Sequence, residues 1–412
     1  MVAGKVDLPW SKGVMRLALN RRRHLGALAA LAACALVASC GTPGGGGGGS
    51  IPGFGSTPSL PGSEGAVKVA VLLPITSSGS TPAVAKALKQ AAELALFDFD
   101  NPNVVLVPKD TRGSAEGARM AAERAAQEGA ELIIGPLFAQ EVSAAAPVAR
   151  RSGIPMIAFS SDEKVAGNGV YLLSFVAGRD VPRIVSFAMS RGKRNFAVLV
   201  PQSPYGRIAE EAFARAVGSG GGQAPVRATF SPNDSGAMAS AVQQVANAGS
   251  RVDALFLPAG REELPALGPV LASSGLTSAK VQFIGTGQWD FPNVASERAL
   301  IGGWYPAPDP KGWSKFVDSY AKTYGAAPPR IASLAYDAVS LAVSLSQYPR
   351  GERYSMAQLT RSSGFAGVDG LFRLLPDGTA ERGLAILEVR EGGPRVIDPA
   401  PSSFSTASSY WR

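Results

Sequence analysis

From residue 66 onward, short apolar runs alternate with segments of helical periodicity. The runs at 66–74, 132–134 and 156–159 are apolar at nearly every position, as expected of parallel strands that are covered on both faces. The segment at 81–99 instead repeats apolar residues every three or four positions, which indicates a helix with one buried face. This alternation predicts an α/β fold with mainly parallel sheets.

One βαβ unit spans Glu131 to Ser161. Its two strands are followed by Gly135-Pro136 and by Ser160-Ser161. In open parallel sheets, ligands bind in the crevice beyond the carboxyl ends of the strands. These two strand ends are therefore predicted to form part of a binding site.

A second run of alternating strands and helices extends from about 181 to 284, which predicts two similar α/β lobes. Residues 364–397 have the pattern of β-hairpins, with Asp377-Gly378 as a turn signal. Residues 398–412 have no periodicity and are predicted to form a loose tail.

The first 40 residues have the layout of an export signal. Arg21 to Arg23 precede a fifteen-residue apolar run that ends before Cys40. As a helix that run would rise about 22 Å, short of the roughly 30 Å hydrocarbon core, so a permanent span is not expected. Val37-Ala-Ser-Cys40 resembles a bacterial lipobox, which implies that Cys40 is lipidated and anchors the protein to a membrane. An ordinary cleaved signal with an incidental cysteine is the alternative, and Met15 is an alternative start.

Residues 40–65 are predicted to be a Gly/Ser/Pro tether, reaching roughly 25–30 Å as a coil. No Gly-Lys-Ser/Thr follows its six consecutive glycines, so a phosphate-binding loop is not indicated. The first 39 residues also carry six of the 40 Lys/Arg and one of the 32 Asp/Glu, which leaves 34 and 31 for the rest. The basic balance is therefore largely that of the leader and does not indicate a nucleic-acid partner.

The leader holds the single histidine, His24, and both cysteines, Cys34 and Cys40. The exported chain therefore lacks the residues for a Ser-His-Asp or Cys-His site, for a His/Cys zinc site and for a disulfide. Carboxylate-pair or Ser-Lys chemistry is formally open, but no motif places such a pair. We expect a binding protein that is not an enzyme and that uses no cofactor and no metal.

Six motifs occur in an order that resembles one family. They are Leu72-Leu-Pro74, Asp110-Thr-Arg-Gly113, Ile133-Ile-Gly-Pro-Leu137, Gly153-Ile-Pro-Met-Ile157, Tyr205-Gly206 and Phe365-Ala-Gly-Val-Asp-Gly370. The pattern is similar to the leucine/isoleucine/valine-binding, type 1 periplasmic solute-binding proteins. The resemblance implies two Rossmann-like lobes joined by three hinge crossings, which close over a ligand like a flytrap. It assigns residues 66–177 and 301–348 to lobe one, and residues 178–300 and 349–397 to lobe two.

The resemblance also implies a set of ligand-binding residues. These are Ser78, Gly79, Pro136, Ala139, Ser160, Ser161, Asp162, Tyr205, Gly260, Gln288, Trp289 and Asp290. For several of them a structural role is the alternative. Ser160 and Ser161 would then simply form a polar loop after a strand, and Tyr205 would cover the start of its helix. Trp289 and Asp290 would pack at a lobe edge, and Gly135-Pro136 would meet a backbone shape requirement.

Three of the family's contact positions are changed. Ala139 stands where the family has a serine for the ligand carboxylate, and Asp162 stands where it has a threonine. Gly287 stands where an acidic residue pairs with the ligand ammonium, and loss of that hydrogen bond costs about 1.5–3 kcal/mol. These changes argue against an ordinary branched-chain amino acid as the ligand.

Two functions follow. The first is a periplasmic lipoprotein, outer-membrane anchored if the cell has two membranes, that binds an amino acid or similar small ligand for an ABC transporter or for sensing. The alternative comes from Gly135-Pro-Leu137 and Trp289-Asp290, which resemble the lipoprotein activators of penicillin-binding proteins. That resemblance implies regulation of a peptidoglycan synthase by contact.

Overall fold

The computed structural model describes residues 65–99 and 102–404. The predicted signal peptide, Cys40 and nearly all of the tether lie outside the described residues, as does the end of the predicted tail. In the described part of the chain no helix is long and apolar enough to cross a membrane.

Five parallel strands form the first sheet, in the order β2-β1-β3-β4-β5. The strands are β1 (Val67–Leu73), β2 (Val104–Asp110), β3 (Leu132–Ile134), β4 (Met156–Ala158) and β5 (Val170–Leu172). The helices between them are α1 (Thr81–Phe97), α2 (Ala115–Gln127) and α3 (Ala139–Arg151). The start of α2 shows how sequence fixes a boundary, because the Ser114 hydroxyl accepts a hydrogen bond from the Gly117 amide at 3.0 Å.

The second sheet has seven strands in the order β15-β14-β10-β9-β8-β6-β7. They are β6 (Asn195–Pro201), β7 (Gln223–Phe230), β8 (Ala254–Phe256), β9 (Gln282–Ile284), β10 (Trp304–Ala307), β14 (Ala385–Glu388) and β15 (Arg395–Asp398). Its helices are α4 (Val181–Ser190), α5 (Pro204–Ser219), α6 (Ser235–Ala246) and α7 (Leu264–Ser273). The pairs among β6 to β10 are parallel, whereas β14 and β15 are antiparallel.

The remaining elements pack on the first sheet's core. They are α8 (Pro310–Tyr324), α9 (Ala332–Leu345), α10 (Met356–Leu359), β11 (Phe365–Gly367), β12 (Gly370–Leu374) and β13 (Ala380–Arg382). Apolar side chains of α9, α10 and β12 share one buried cluster with β1 and α1. The hairpin strands β11 to β13 form a small antiparallel sheet of their own.

The predicted α/β class with two lobes and mainly parallel sheets is confirmed. The structure corrects the lobe boundaries in two places. Residues 304–307 form strand β10 of the second sheet, whereas the prediction placed 301–348 in lobe one. Residues 354–374 contribute to the first lobe's core, whereas the prediction placed 349–397 in lobe two. The predicted loose tail is also packed as far as Phe404, which is buried and lies against Arg373.

Between β1 and β15 the chain thus passes from one lobe to the other three times, and the segment after β15 returns to the first lobe, where Phe404 lies against Arg373. The crossings run from β5 to α4, from β10 to α8, and from β13 to β14. These three crossings determine where the cavity described below is located.

Candidate functional site

A cavity of about 550 Å³ lies between the two lobes, beside the three crossings. The crossings contribute residues 174–177, 306–308, 380–382 and 384 to its wall. The volume is in the range that encloses a small organic molecule. The cavity is the candidate ligand site of the protein.

Four of the residues expected to bind a ligand line this cavity: Ser161, Tyr205, Gln288 and Asp290. Tyr205 begins the first turn of α5, and its hydroxyl donates to the Thr286 hydroxyl at 2.7 Å. Burial raises the pKa of Tyr205 and the nearby carboxylate of Asp180 raises it further, so the phenol stays neutral. Tyr205 therefore offers an apolar ring and an oriented hydroxyl to a ligand.

Trp289 does not line the cavity, which corrects its predicted role. The indole is fully buried in the second lobe's core, and its Nε1–H donates to the Ala259 carbonyl at 3.0 Å. A Cβ added at Gly285 or Gly303 would lie 2.2 Å or 2.7 Å from the ring. This position agrees with the structural alternative for Trp289, which is packing at a lobe edge.

Gly260 is also buried and does not line the cavity, although a Cβ there would lie 3.0 Å from the side chain of Gln288, which does. Its amide donates to the Glu263 carboxylate at 2.8 Å, just before α7. Its role here is to start that helix.

Ser78 and Gly79 are exposed in the loop after β1 and do not line the cavity. The Asp110 carboxylate holds this loop by accepting hydrogen bonds from the Ile75 and Thr76 amides and the Thr76 hydroxyl. Although burial raises the pKa of Asp110, these bonds and the Arg112 amide together hold it below its usual value. The loop is thus fixed, with its tip in solvent.

Pro136 and Ala139 lie in a turn that the first lobe shapes. Pro136 is buried after a cis peptide bond from Gly135, and its carbonyl accepts from the Phe159 amide at 3.0 Å. A Cβ at Gly135 would lie 2.2 Å from the Leu72 carbonyl oxygen, so glycine is required there. Neither Pro136 nor Ala139 lines the cavity.

The side chains of Ser160 and Asp162 are used within their own loop. The Ser160 hydroxyl accepts from the Asp162 amide at 3.1 Å. Asp162 accepts from the Lys164 amide at 3.0 Å and so caps a short 3₁₀ turn. Of this predicted loop, only Ser161 lies on the cavity.

Asp180, missed by the sequence prediction, is a carboxylate on the cavity wall. Its Oδ2 accepts from the Gly287 amide at 2.5 Å, and its Oδ1 is buried without a hydrogen-bond partner among the described residues. Burial raises the pKa of Asp180, and the Gly287 amide, followed by the amides of Asp180 and Val181, opposes that rise. A Cβ at Gly287 would lie 3.1 Å from Oδ2. The structure thus supplies, from the start of α4, an acid beside the position where the sequence lacks one.

Arg330 and Arg382, also missed, bring two guanidinium groups to the same cavity. Arg330 forms an ion pair with Asp369 at 2.5 Å and reaches Asp290 of the second lobe at 3.7 Å. Arg382 lies 3.9 Å from the Asp337 carboxylate.

Two buried acids, Asp369 and Asp337, lie next to these cations. Asp369 accepts from the Ser333 hydroxyl at 2.7 Å, and Asp337 accepts from the Val368 amide at 2.6 Å. Burial, helped by the charge of Asp369, raises the pKa of Asp337 to about 7. Burial likewise raises the pKa of Asp290, although Arg330 opposes that rise.

The sequence contains little signal for these residues. Arg330 and Arg382 are 52 positions apart and belong to no motif, and only the fold brings them together. Asp180 precedes Val181-Pro182 at the start of α4, and an acid before a helix is usually interpreted as a cap. In the described ranges, 65–99 and 102–404, no group of three or more His, Cys, Asp or Glu residues could hold a metal ion.

A family model described as periplasmic binding protein matches residues 66–394. None of the curated proteins that were compared matches the chain significantly. Among solved structures, a putative branched-chain amino acid ABC transporter from Rhodospirillum rubrum is similar, with a TM-score of 0.72 and 21% identity over 81% of this chain and 100% of that one.

Two further structures give the same picture. A leucine binding protein from Thermotoga maritima has a TM-score of 0.54 and 22% identity, over 80% of this chain and 97% of its own. An R. palustris solute binding protein in complex with benzoate has a TM-score of 0.53 and 19% identity, over 82% and 98%. At these identities the likeness shows a shared fold.

Proposed function

Because this chain belongs to the periplasmic binding protein family, we propose that it binds an amino acid or a similar small amine-bearing solute between its lobes. Its role is extracytoplasmic and non-catalytic, as the family is. Delivery of the solute to an ABC transporter, or sensing of it, is the function that follows.

The observation that carries the proposal is the position of Asp180. A ligand ammonium needs a carboxylate in a site that excludes water, where a charge-assisted hydrogen bond contributes about 1.5–3 kcal/mol. The Oδ1 atom of Asp180 is buried on the cavity wall and lacks a partner among the described residues. Asp180 thus replaces the acid that Gly287 cannot provide, which removes the main argument against an amino-acid ligand.

The relatives support a small solute. The similar structures include an isoleucine complex from Streptococcus pneumoniae, a leucine complex from Desulfitobacterium hafniense and the benzoate complex. All three ligands are small carboxylic acids with an apolar body. The cavity has Phe175, Tyr205 and Ile208 on its wall for such a body.

The membrane anchor is a further part of the proposal. Lipidation at Cys40, followed by a flexible tether, would hold the binding domain close to a membrane. Its test is fractionation of cells that produce the wild type or Cys40→Ser. Wild-type protein should sediment with membranes and the variant should be soluble, whereas equal distribution would contradict the anchor.

Activation of a penicillin-binding protein is the alternative function. Two features of the sequence favour it: the lack of an acid at Gly287 and the Trp289-Asp290 pair. In the structure, however, Asp180 lies next to Gly287, and Trp289 is a core residue. The alternative therefore rests on the resemblance alone.

The function is tested by a melting-temperature screen of the chain from residue 41 against each of the twenty amino acids and benzoate, followed by calorimetry. A ligand at 100 times its dissociation constant adds about 2.7 kcal/mol of stability, and Asp180→Asn should weaken an amino-acid ligand at least tenfold. Asp162→Asn, which changes an exposed carboxylate off the cavity, is the matched control. Absence of any shift in a cooperatively melting protein would contradict the proposal and favour the alternative.

A further inference from the structure

Arg382 is a buried cation on the cavity wall whose hydrogen-bonding capacity is unused. Its side chain is 8% exposed, and its Nε, Nη1 and Nη2 atoms have no hydrogen-bond partner within the described residues. Burying a charged group whose donors make no hydrogen bond is costly, so such a group is normally hydrogen-bonded. The unused donors indicate that a ligand completes the site.

The nearest acid does not complete it. The 3.9 Å between Arg382 Nη1 and Asp337 Oδ2 is too long for a hydrogen bond. Asp337 is fully buried; its Oδ1 accepts from the Val368 amide, whereas its Oδ2, which faces Arg382, has no hydrogen-bond partner within the described residues. Arg382 therefore has a counter-charge nearby but no acceptor at bonding distance.

Phe175 covers both cavity guanidiniums. The centre of its ring lies 4.8 Å from the Arg382 guanidinium carbon and 5.5 Å from that of Arg330. Yet Phe175 is 40% exposed and belongs to the crossing from β5 to α4. Both cations already line the cavity, and a shift of this one partly exposed ring would uncover more of each guanidinium face.

We propose that Arg382 binds a carboxylate of the ligand, with the charge of Arg330 beside it and Phe175 as a movable aromatic cover over that subsite. The proposal rests on the proposed function, since it concerns the same cavity. A guanidinium presents a planar fork that matches the two oxygens of a carboxylate. In the family a serine binds the ligand carboxylate at the position of Ala139, and the arginine subsite takes over that role here.

The two ends of the cavity then define the ligand class. Asp180 belongs to the second lobe, and Arg330 and Arg382 belong to the first. A ligand that carries both an ammonium and a carboxylate contacts an opposite charge on each lobe. A small zwitterion therefore bridges the lobes, whereas an acid without an amine engages only the arginine end.

The test compares each amino acid with its primary amide, and benzoate with benzamide, by calorimetry on the wild-type chain from residue 41. An amide keeps the shape of the acid but removes the negative charge, so it should bind at least tenfold more weakly. Arg382→Lys keeps a charge beside Asp337 but removes the fork, and should reduce the acid-to-amide preference. Arg179→Gln is the matched control, because Arg179 lines the cavity but is already paired with Glu163 at 2.6 Å.

The outcomes separate the two proposals. A tenfold preference for acids that falls in Arg382→Lys and persists in Arg179→Gln supports the carboxylate subsite. Equal binding of acid and amide, or an unchanged preference in Arg382→Lys, overturns the subsite and leaves the proposed function standing. Failure of every acid and every amide to bind overturns both.

Discussion

The Nη2 atom of Arg330 in the first lobe lies 3.7 Å from the Oδ2 atom of Asp290 in the second. The two side chains are 31% and 35% exposed, so water screens their attraction. Ion pairs of this kind contribute about 0–1 kcal/mol. The contact therefore connects the two lobes only weakly.

Asp290→Asn should therefore change the free energy of unfolding by less than about 1 kcal/mol, measured by urea denaturation. A loss above about 2 kcal/mol would show that the pair holds the lobes together. Asp369→Asn is the informative comparison, because Asp369 is fully buried and pairs with Arg330 at 2.5 Å. Because Arg330 is 31% exposed, Asp369→Asn should cost more than Asp290→Asn but less than the roughly 3–5 kcal/mol of a fully buried pair.

Trp289→Phe should lower stability by about 1–3 kcal/mol, because it removes the hydrogen bond to Ala259 and leaves space in the core. Ligand affinity should change less than about twofold at temperatures where the variant is folded. Tyr205→Phe changes a residue on the cavity wall, so it should weaken ligand binding more than it lowers stability. A Trp289 variant that folds normally but no longer binds its ligand would support the prediction that Trp289 is a ligand-binding residue.

Gly135→Ala should be strongly destabilising. The residue has φ near +89°, and a Cβ would lie 2.2 Å from the Leu72 carbonyl. Gly129→Ala is the matched control, since Gly129 has φ near +79° but open space around it. The control should lose about 1 kcal/mol from backbone strain alone, and Gly135→Ala should lose clearly more in the same denaturant titration. Equal losses would mean that the turn can shift.

Glu141 fixes the turn that carries Pro136 and Ala139. Its buried carboxylate accepts from the Thr111 hydroxyl at 2.5 Å and the Phe138 amide at 3.1 Å. Glu141→Ala leaves both donors unpaired and should cost about 2–4 kcal/mol of unfolding free energy. Glu141→Gln keeps an acceptor and should lose less. If both variants lost the same amount, the negative charge rather than the hydrogen bonds would be responsible.

Stability should fall as pH rises from about 4 to about 7. Asp337 has its pKa raised to about 7 from an ordinary value of 3.8, first by burial and then by Asp369, while Arg382 and Arg330 act against the rise. The folded chain therefore binds this proton more tightly than the unfolded chain, and that advantage is lost through this window.

One such proton changes the unfolding free energy by up to about 1.4 kcal/mol per pH unit. Asp337→Asn does not titrate, so its stability should depend less on pH between 5 and 8 in urea denaturation. Identical pH profiles for the variant and the wild type would assign the dependence to other carboxyls. Glu141, Asp180 and Asp290 also have raised pKa values, because of burial, so some slope should remain in the variant.

The fold could be predicted because apolar periodicity is local: strands such as Leu132–Ile134 and Met156–Ala158 appear in the sequence as uninterrupted apolar runs. Strand β10 was missed because Trp-Tyr-Pro-Ala contains a proline, which is disfavoured inside a sheet. Because β10 lies between β9 and β14, its residues belong to the second lobe, whereas the prediction placed 301–348 in the first.

The site was only partly predictable, because its charges come from distant segments. The strand ends and the family resemblance together led to Ser161, Tyr205, Gln288 and Asp290. The sequence cannot show that Trp289 turns inward while both of its neighbours line the cavity. Nor can it show that Arg330 and Arg382 meet under Phe175, since that meeting depends on how α9 and β13 are placed.

All three crossings between the lobes form part of the cavity wall. The residues that link the two lobes are therefore also residues that a ligand in the cavity would touch, so a substitution made to change one property also changes the other. An engineer who converts this chain into a fluorescent sensor should expect each substitution at 174–177, 306–308, 380–382 or 384 to change both response time and detection range.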